Sequence, residues 1–314
     1  MTRPSRPTVP ARRLAAILAA AVAGGAAPLP LAAQAPGTAP GMLVDTEWLA
    51  AHLDDPDVVV LHVTRGSDAG DERIPGARPL PLDALSWDGP TGVGSEIRPA
   101  AEIEAALEGV GVRDGQRIVI YGSNALGAVR AWMTLDVMGL GDRTSLLDGG
   151  FGAWREEGRP VAGSTAAWAP GSVTLRPRPD VVVDAEWILE RLDAPRIALV
   201  DARPDDEYTG SDGGMGGMTN PGHIPGAHQL YWEELVESRD VYRLKDRDEL
   251  RRLFEEAGAA TGDTTVTYCM VGLRASMTYF VSRLLGYDSK FYDGSWHDWG
   301  ARDDLPTVTG RDPG

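Results

Sequence analysis

The sequence of this protein repeats itself, and this duplication limits the folds that the chain can adopt. Residues 44–49 read VDTEWL and residues 183–188 read VDAEWI. Four further landmarks recur in the same order: an apolar run (57–63 and 196–202), an IPGA turn (73–80 and 223–230), an apolar run with a loop (117–128 and 264–275) and an Asp-Gly turn before a tryptophan (146–154 and 291–299). Since solenoid units are only roughly 20–50 residues long, a repeat of this length indicates two copies of a whole domain.

Each copy alternates short apolar runs with amphipathic segments, the pattern of β-strands that alternate with helices. Runs of this type predict an α/β fold in which a mostly parallel sheet has helices on both faces. With 314 residues, the chain is long enough for two such domains. We predict a first domain over residues 42–160, a linker rich in Pro, Gly, Ser and Ala over 161–180, and a second domain over 181–308.

The N-terminal segment differs in composition from the rest and predicts a secretory signal peptide over residues 1–35. An apolar run over 14–27 follows four arginines and precedes Ala33-Gln34-Ala35, a small-x-small pattern typical of a cleavage site. The run is too short and too rich in alanine for a membrane span, so we expect no span after removal of the signal. We therefore expect an exported, periplasmic protein.

The composition excludes several classes of function. A formal net charge of −16 and a pI near 4.7 argue against nucleic-acid binding, which needs an excess of Lys and Arg. A single cysteine excludes an intramolecular disulfide, and the five histidines lack metal-ligand spacing, so we expect no metal and no cofactor. A small anionic substrate is compatible with an acidic chain, because a local pocket can be cationic. Nothing in the sequence indicates the oligomeric state.

The lone cysteine, Cys269, lies where the two copies differ most in chemistry. When the copies are aligned, Cys269 corresponds to Gly122 and Arg274 corresponds to Gly127. The cysteine ends a β-branched strand and precedes a helical pattern, at the sheet edge where parallel α/β folds bind their ligands. We therefore expect the second copy to carry the reactive groups and the first copy to serve as a scaffold.

The segment that follows this strand predicts an active-site loop of six residues: Cys269, Met270, Val271, Gly272, Leu273 and Arg274. Backbone amides at such a strand-to-helix junction can form an anion-binding nest, and Gly272 permits the left-handed turn that the loop needs. Arg274 adds a cation that can bind an oxyanion. Because the thiolate of a cysteine is a strong nucleophile, the pattern predicts Cys269 as the catalytic residue.

Four motifs of the second copy together resemble those of the two-domain rhodanese sulfurtransferases, a family that includes the thiosulfate and 3-mercaptopyruvate sulfurtransferases: DAR (201–203), GHIPGA (222–227), CMVGLR (269–274) and YDGSWHDW (292–299). The resemblance covers residues 42–308 and implies tandem rhodanese-like domains, of which the first is inactive. It implies that Cys269 takes a sulfane sulfur from a small anionic donor as a persulfide and passes it to cyanide or a thiol. It also implies that Arg203 binds the substrate together with Arg274.

Thiosulfate is the donor that we expect, and 3-mercaptopyruvate is the alternative. Met270 and Val271 are apolar where thiosulfate-preferring relatives tend to carry basic residues, and Arg274 stands where mercaptopyruvate-preferring relatives tend to have threonine. Arg73 and His62 replace the histidine and aspartate of a relay proposed for the mercaptopyruvate enzymes, which disfavours that donor. A further alternative is a sulfur-carrier module that ferries the persulfide without turnover.

A cysteine phosphatase is the enzymatic rival, because it also places a nucleophilic cysteine and an arginine on one loop. Its loop has the spacing C-x5-R, whereas four residues separate Cys269 from Arg274. The shorter loop suits a single sulfur atom better than a phosphoryl group with its oxygens. We therefore expect sulfur transfer.

Overall fold

The structure is a computed structural model that describes residues 1–2, 41–66, 72–89, 94–122, 124–163, 167–212, 220–238 and 241–314. The predicted signal peptide, apart from its first two residues, lies outside the described residues, as do residues 164–166 of the predicted linker. Within the described part, no helix has the length and the apolar character needed to cross a membrane.

The first half of the chain builds a five-stranded parallel sheet. The strands of this half are β1 (Leu43–Val44), β2 (Val58–Thr64), β3 (Arg78–Pro81), β4 (Ser86–Trp87), β5 (Glu96–Ile97), β6 (Arg117–Gly122) and β7 (Thr144–Leu147). Its helices are α1 (Thr46–Ala51), α2 (Ala100–Gly109), α3 (Ala125–Val137) and α4 (Gly150–Glu156). The sheet has the order β1-β7-β6-β2-β3, and β4 and β5 form a separate antiparallel pair.

The second half repeats this arrangement. Its strands are β8 (Val182–Val183), β9 (Ile197–Asp201), β10 (Ala227–Gln229), β11 (Thr264–Tyr268) and β12 (Asp288–Tyr292). Its helices are α5 (Ala185–Leu189), α6 (Asp205–Thr209), α7 (Arg247–Glu256), α8 (Ala275–Leu285) and α9 (Ser295–Trp299). All neighbouring strands are parallel, in the order β8-β12-β11-β9-β10. Read from β1 and from β8, the two sheets have the same order, so the duplication in the sequence is a duplication of topology.

Both faces of each sheet are covered, which confirms the predicted fold class. In β2, Val59, Leu61 and Val63 join the core that contains residues of α2 and α3, whereas Val60 joins a separate core with residues of α1 and α4. This alternation follows from the two-residue period of a strand, which points successive side chains to opposite faces. A strand buried on both faces needs the continuous apolar run that the sequence shows.

The core between α3 and α8 is shared by the two halves. Trp132 of α3 meets Phe280 of α8 edge to face, with ring centroids 4.7 Å apart. The carboxylate of Asp136, which is buried, accepts a hydrogen bond from the hydroxyl of Tyr279 at 2.6 Å and pairs with Arg283 at 3.2 Å. The two halves therefore pack through apolar side chains and through a buried polar contact.

The predicted linker runs along the first half. Its described part carries isolated bridges and ends in a short 3-10 turn over Pro179–Val181. Gly171 and Arg176 donate backbone hydrogen bonds to the carbonyl oxygens of Glu108 and Met138 at 2.7 Å and 3.0 Å. These bonds attach the segment to the ends of α2 and α3.

Candidate functional site

The loop Cys269–Arg274 connects the central strand of the second sheet to α8. Strand β11 lies between β9 and β12 and ends at Tyr268, and α8 begins at Ala275. Cys269 is a free cysteine with 1% of its surface exposed. The structure thus places the thiol at the carboxyl edge of a parallel sheet, where ligands of such folds bind.

The start of this loop is held by the turn that opens α9. The amide of Cys269 donates to the hydroxyl oxygen of Ser295 at 3.3 Å. The carbonyl oxygens of Cys269 and Met270 accept hydrogen bonds from the amides of Trp296 and His297 at 2.9 Å and 3.0 Å. Three hydrogen bonds therefore hold the backbone around the thiol: the amide of Cys269 donates one, and the carbonyl oxygens of Cys269 and Met270 accept one each.

The amides of the rest of the loop have no acceptor within the described part of the chain. Gly272 adopts a φ of +79°, the left-handed conformation that turns the loop. Among the residues that the structure describes, none accepts a hydrogen bond from the loop amides after the cysteine, which belong to Met270, Val271, Gly272, Leu273 and Arg274. Consecutive free amides before a helix are what an anion-binding nest requires.

Arg274 ends the loop but is not a free cation. Its Nη1 and Nη2 donate to the two carboxylate oxygens of Glu207 at 2.8 Å and 2.6 Å. Burial acts to lower the pKa of Arg274, but the hydrogen bonds to Glu207 and the charge of a Cys269 thiolate outweigh it and raise that pKa. Arg274 therefore lies within electrostatic reach of the thiol and has a carboxylate partner that the sequence did not indicate, and its role in binding an anion stays a prediction.

Arg203 does not belong to the accessible part of this site. Its side chain is 1% exposed, and its Nε and Nη2 donate to the carboxylate of Asp201 at 3.0 Å and 2.6 Å. Nη2 also donates to the carbonyl oxygen of Gly222 at 2.7 Å. The guanidinium of Arg203 is thus enclosed and already paired, and its role in substrate binding stays a prediction. Arg203 ties the end of β9 to the segment that leads into the IPGA turn.

The equivalent place in the first half is contacted by a tyrosine from the second half. The hydroxyl of Tyr242 donates to the carbonyl oxygen of Gly122, the counterpart of Cys269, at 3.1 Å. Tyr242 is 4% exposed and lies directly over Gly150, where a Cβ would collide with its ring. The first half has no thiol at this position, and a Cβ on Gly122 would lie 2.8 Å from the carbonyl oxygen of Asn124.

The sequence did not indicate three residues around the loop: Glu207, Ser295 and Asp293, whose Oδ1 lies 3.2 Å from the point that a Cβ on Gly272 would occupy. Ser295 had a usable signal, because the first copy has Gly150 at the matching position of its Asp-Gly turn. Glu207 had none, since one carboxylate after a strand is common on a protein surface. Metal binding finds no support in the described residues, where no three His, Cys, Asp or Glu side chains cluster in a way that could hold an ion.

The duplication also appears in comparisons with known proteins. A model of the rhodanese-like domain matches two segments of the chain, residues 45–157 and 184–302. The chain belongs to the rhodanese family of sulfurtransferases. Each copy of the duplication thus corresponds to one rhodanese-like domain, and the loop that carries Cys269 lies in the second.

Among its relatives, the sulfur carrier protein TtuD of Thermus thermophilus is 32% identical over 87% of this chain and 98% of its own length. The thiosulfate sulfurtransferase of Azotobacter vinelandii is 30% identical over 84% of this chain and 96% of its own. The crystal structure of SseA from Escherichia coli, a 3-mercaptopyruvate sulfotransferase, superimposes with a TM-score of 0.70 at 25% identity and covers 82% of this chain and 99% of SseA. The chain therefore resembles three kinds of sulfur-handling protein over nearly its whole described length.

Proposed function

We propose that this rhodanese moves a sulfane sulfur from a small anionic donor to a thiophilic acceptor through a persulfide on Cys269. The observation that carries the proposal is the loop itself. A thiol follows the end of β11, and the next five backbone amides, from Met270 to Arg274, have no hydrogen-bond acceptor among the described residues. Such amides can stabilise the negative charge on the terminal sulfur of a persulfide without a metal or a cofactor.

With thiosulfate as donor, the chemistry takes place in two displacement steps. The Cys269 thiolate attacks the outer sulfur of thiosulfate, a new sulfur–sulfur bond forms, and the old one breaks so that sulfite leaves with the bonding pair. Cyanide or a thiolate then attacks the terminal sulfur of the persulfide, which restores the Cys269 thiolate and releases thiocyanate or a new persulfide. Because the thiolate is itself the nucleophile, neither step needs a general base.

Two alternatives concern the physiological partners. 3-Mercaptopyruvate is an alternative donor, since a mercaptopyruvate enzyme is among the structural relatives. A role as a sulfur carrier, without turnover of small substrates, is favoured by one contact: Glu207 neutralises Arg274, the cation at the end of the loop. A small dianion such as thiosulfate gains less from a paired arginine than from a free one.

Intact-mass spectrometry tests the proposal. After incubation with thiosulfate or, separately, with 3-mercaptopyruvate, the protein is expected to gain the mass of one sulfur atom, and cyanide is expected to remove it. Cys269→Ser should gain nothing and should show no turnover, because the chain has no other cysteine, while its melting temperature stays close to that of the wild type. A Cys269→Ser protein that still transfers sulfur, or a wild type that loads sulfur from neither donor, would contradict the proposal. A carrier would load once and stall with small acceptors.

A further inference from the structure

The first half of the chain places a buried arginine against the catalytic half. Arg130, on α3, has a side chain with no exposed surface. Its Nη2 donates to the carboxylate of Asp293 at 2.7 Å and to the carbonyl oxygen of Ser95. The guanidinium carbon lies 5.3 Å from the centre of the Phe291 ring, at the end of β12. Arg130 therefore reaches across the junction of the two halves, to the strand next to the Cys269 loop.

One edge of this guanidinium faces the loop itself. Its Nη1 lies 3.0 Å from the point that a Cβ on Gly272 would occupy, and Gly272 is in the middle of the loop. Both Nη1 and Nε are buried without a hydrogen-bond partner among the described residues. Because unpaired buried donors cost stability, the need for a stable core does not explain an arginine at this position.

The second copy shows what the scaffold alone requires here. The position on α8 that corresponds to Arg130 is Met277, which is fully buried in the same core. A flexible apolar side chain thus satisfies the packing at the matching position of α8. The charged residue occurs only on α3, the helix that reaches the Cys269 loop from the opposite half.

Asp293 connects Arg130 to the backbone around the thiol. Its other carboxylate oxygen accepts a hydrogen bond from the amide of Ile97, also in the first half, at 2.9 Å. Asp293 is two residues before Ser295, whose hydroxyl oxygen accepts the hydrogen bond of the Cys269 amide. A displacement of Asp293 would therefore displace the turn that anchors Cys269.

We infer that Arg130 is a positioning residue for Cys269, so that the half without a thiol sets the geometry of the reactive loop. It acts in two ways, through its edge against Gly272 and through its ion pair with Asp293. The inference rests on the proposed function only in that Cys269 is the reacting group. Since Asp293 balances its charge, Arg130 acts by fixing atoms in place, and a loosened loop both exposes the thiol and misplaces it for attack.

Arg130→Met tests the inference with the full-length chain. The substitution removes the ion pair with Asp293 and introduces methionine, the residue found at the matching position 277 of α8. We expect kcat with thiosulfate and cyanide to fall about 10- to 100-fold, the range that a misplaced reacting group can cost, while KM changes by less than about threefold. Alkylation of Cys269 by iodoacetamide, followed by mass, should become faster because the loop no longer encloses the thiol. The label reports one site, since the chain has one cysteine.

Asp136→Asn is the matched control. Asp136 lies on the same helix and also pairs with the second half, through Arg283 and Tyr279, but it is not among the groups around the loop. This variant should lower the melting temperature and leave kcat and the alkylation rate within about twofold of the wild type, since neither of its partners holds the reacting group. All rates are measured well below the melting temperature of each protein.

The inference is overturned if Arg130→Met behaves like the control, or if both variants lose kcat in proportion to their loss of stability. If Arg130→Met does not fold, Asp293→Asn replaces it, because the amide weakens the ion pair and still accepts from Ile97. That variant should change kcat and alkylation in the same directions by a smaller factor, and unchanged values would count against the inference. If the wild type transfers no sulfur from any donor, the proposed function fails, and the alkylation rates still decide whether Arg130 positions the thiol.

Discussion

At the scale of single residues, the charge of the active loop is set by a partner from another segment. Glu207 and Arg274 form a two-point ion pair, and both side chains are largely shielded from solvent, with 12% and 20% of their surfaces exposed. A planar guanidinium that meets a carboxylate in this way is held in one orientation. Arg274 is therefore fixed in place and electrically neutralised at the same time. We expect this pair to influence how strongly the loop attracts an anionic donor.

Glu207→Gln tests this pair. The amide removes the negative charge and keeps the size of the side chain, so Arg274 becomes available to the donor. We expect KM for thiosulfate to fall several-fold, up to about tenfold, which corresponds to 1.4 kcal/mol. Glu256→Gln, which removes the same charge from an exposed pair with Arg252, is the control and should leave KM unchanged. A KM for Glu207→Gln that equals or exceeds that of the wild type would contradict the interpretation.

At the scale of elements, the turn between β12 and α9 keeps one backbone shape in both copies but carries different side chains. Ser295 has a φ of +53°, and Gly150, its counterpart in the first half, has a φ of +52°. A left-handed conformation costs a non-glycine residue of order 1–3 kcal/mol. The second half bears this strain at the one position whose hydroxyl accepts the amide hydrogen bond of Cys269 at 3.3 Å. The strain thus accompanies a contact with the reactive loop.

The variants Ser295→Gly and Ser295→Ala distinguish the effect of the backbone strain from the effect of the lost hydroxyl. Both variants lose the hydrogen bond to Cys269, so both should lower kcat by a similar factor, about tenfold, through a less well-placed thiol. Only the glycine relieves the left-handed strain, so we expect it to be the more stable of the two by about 1 kcal/mol in urea unfolding. Full activity in either variant, or equal stability of the two, would contradict this account of the turn.

At the scale of the whole molecule, the two halves are joined by reciprocal contacts. Asp293 of the second half accepts a hydrogen bond from Ile97 of the first, and Asp148, its counterpart in the first half, accepts one from Leu244 of the second at 3.0 Å. Each Asp-Gly turn therefore accepts a backbone hydrogen bond from the opposite half. Burial raises the pKa of Asp148 to about 6, against the effects of the Leu244 amide and of Arg243.

This raised pKa predicts that the stability of the folded protein depends on pH. A carboxyl whose pKa is raised by folding stabilises the folded state fully below its unfolded pKa of 3.8, and that contribution is lost as the pH rises through about 6. Asp148→Asn is neutral at every pH. Its melting temperature relative to the wild type should therefore rise by several degrees between pH 4 and pH 7.5, since about 1 kcal/mol corresponds to roughly 2–4 °C in a chain of this size.

Differential scanning fluorimetry of both proteins across this pH range provides the measurement. His62, whose pKa is lowered to about 4 by burial and by Arg73, titrates in both proteins and cancels in the difference. A constant difference between the two melting temperatures would show that Asp148 does not carry the charge that burial disfavours. Asp293→Asn is no substitute, because that carboxylate has Arg130 as a partner.

The sequence by itself determined the duplicated α/β topology and the position of Cys269 on a strand-to-helix loop, because strand and helix periods are local and parallel strands bring their carboxyl ends to one edge. The signal peptide and the export that it implies stay predictions. Only the tertiary structure decided the partners of the charged groups: Arg203 is enclosed by Asp201, Arg274 is held by Glu207, and Arg130 crosses to Asp293, 163 positions away. Which carboxylate pairs with an arginine depends on the distance between the two groups in the folded chain and on how far both are removed from water. No local sequence pattern encodes either quantity.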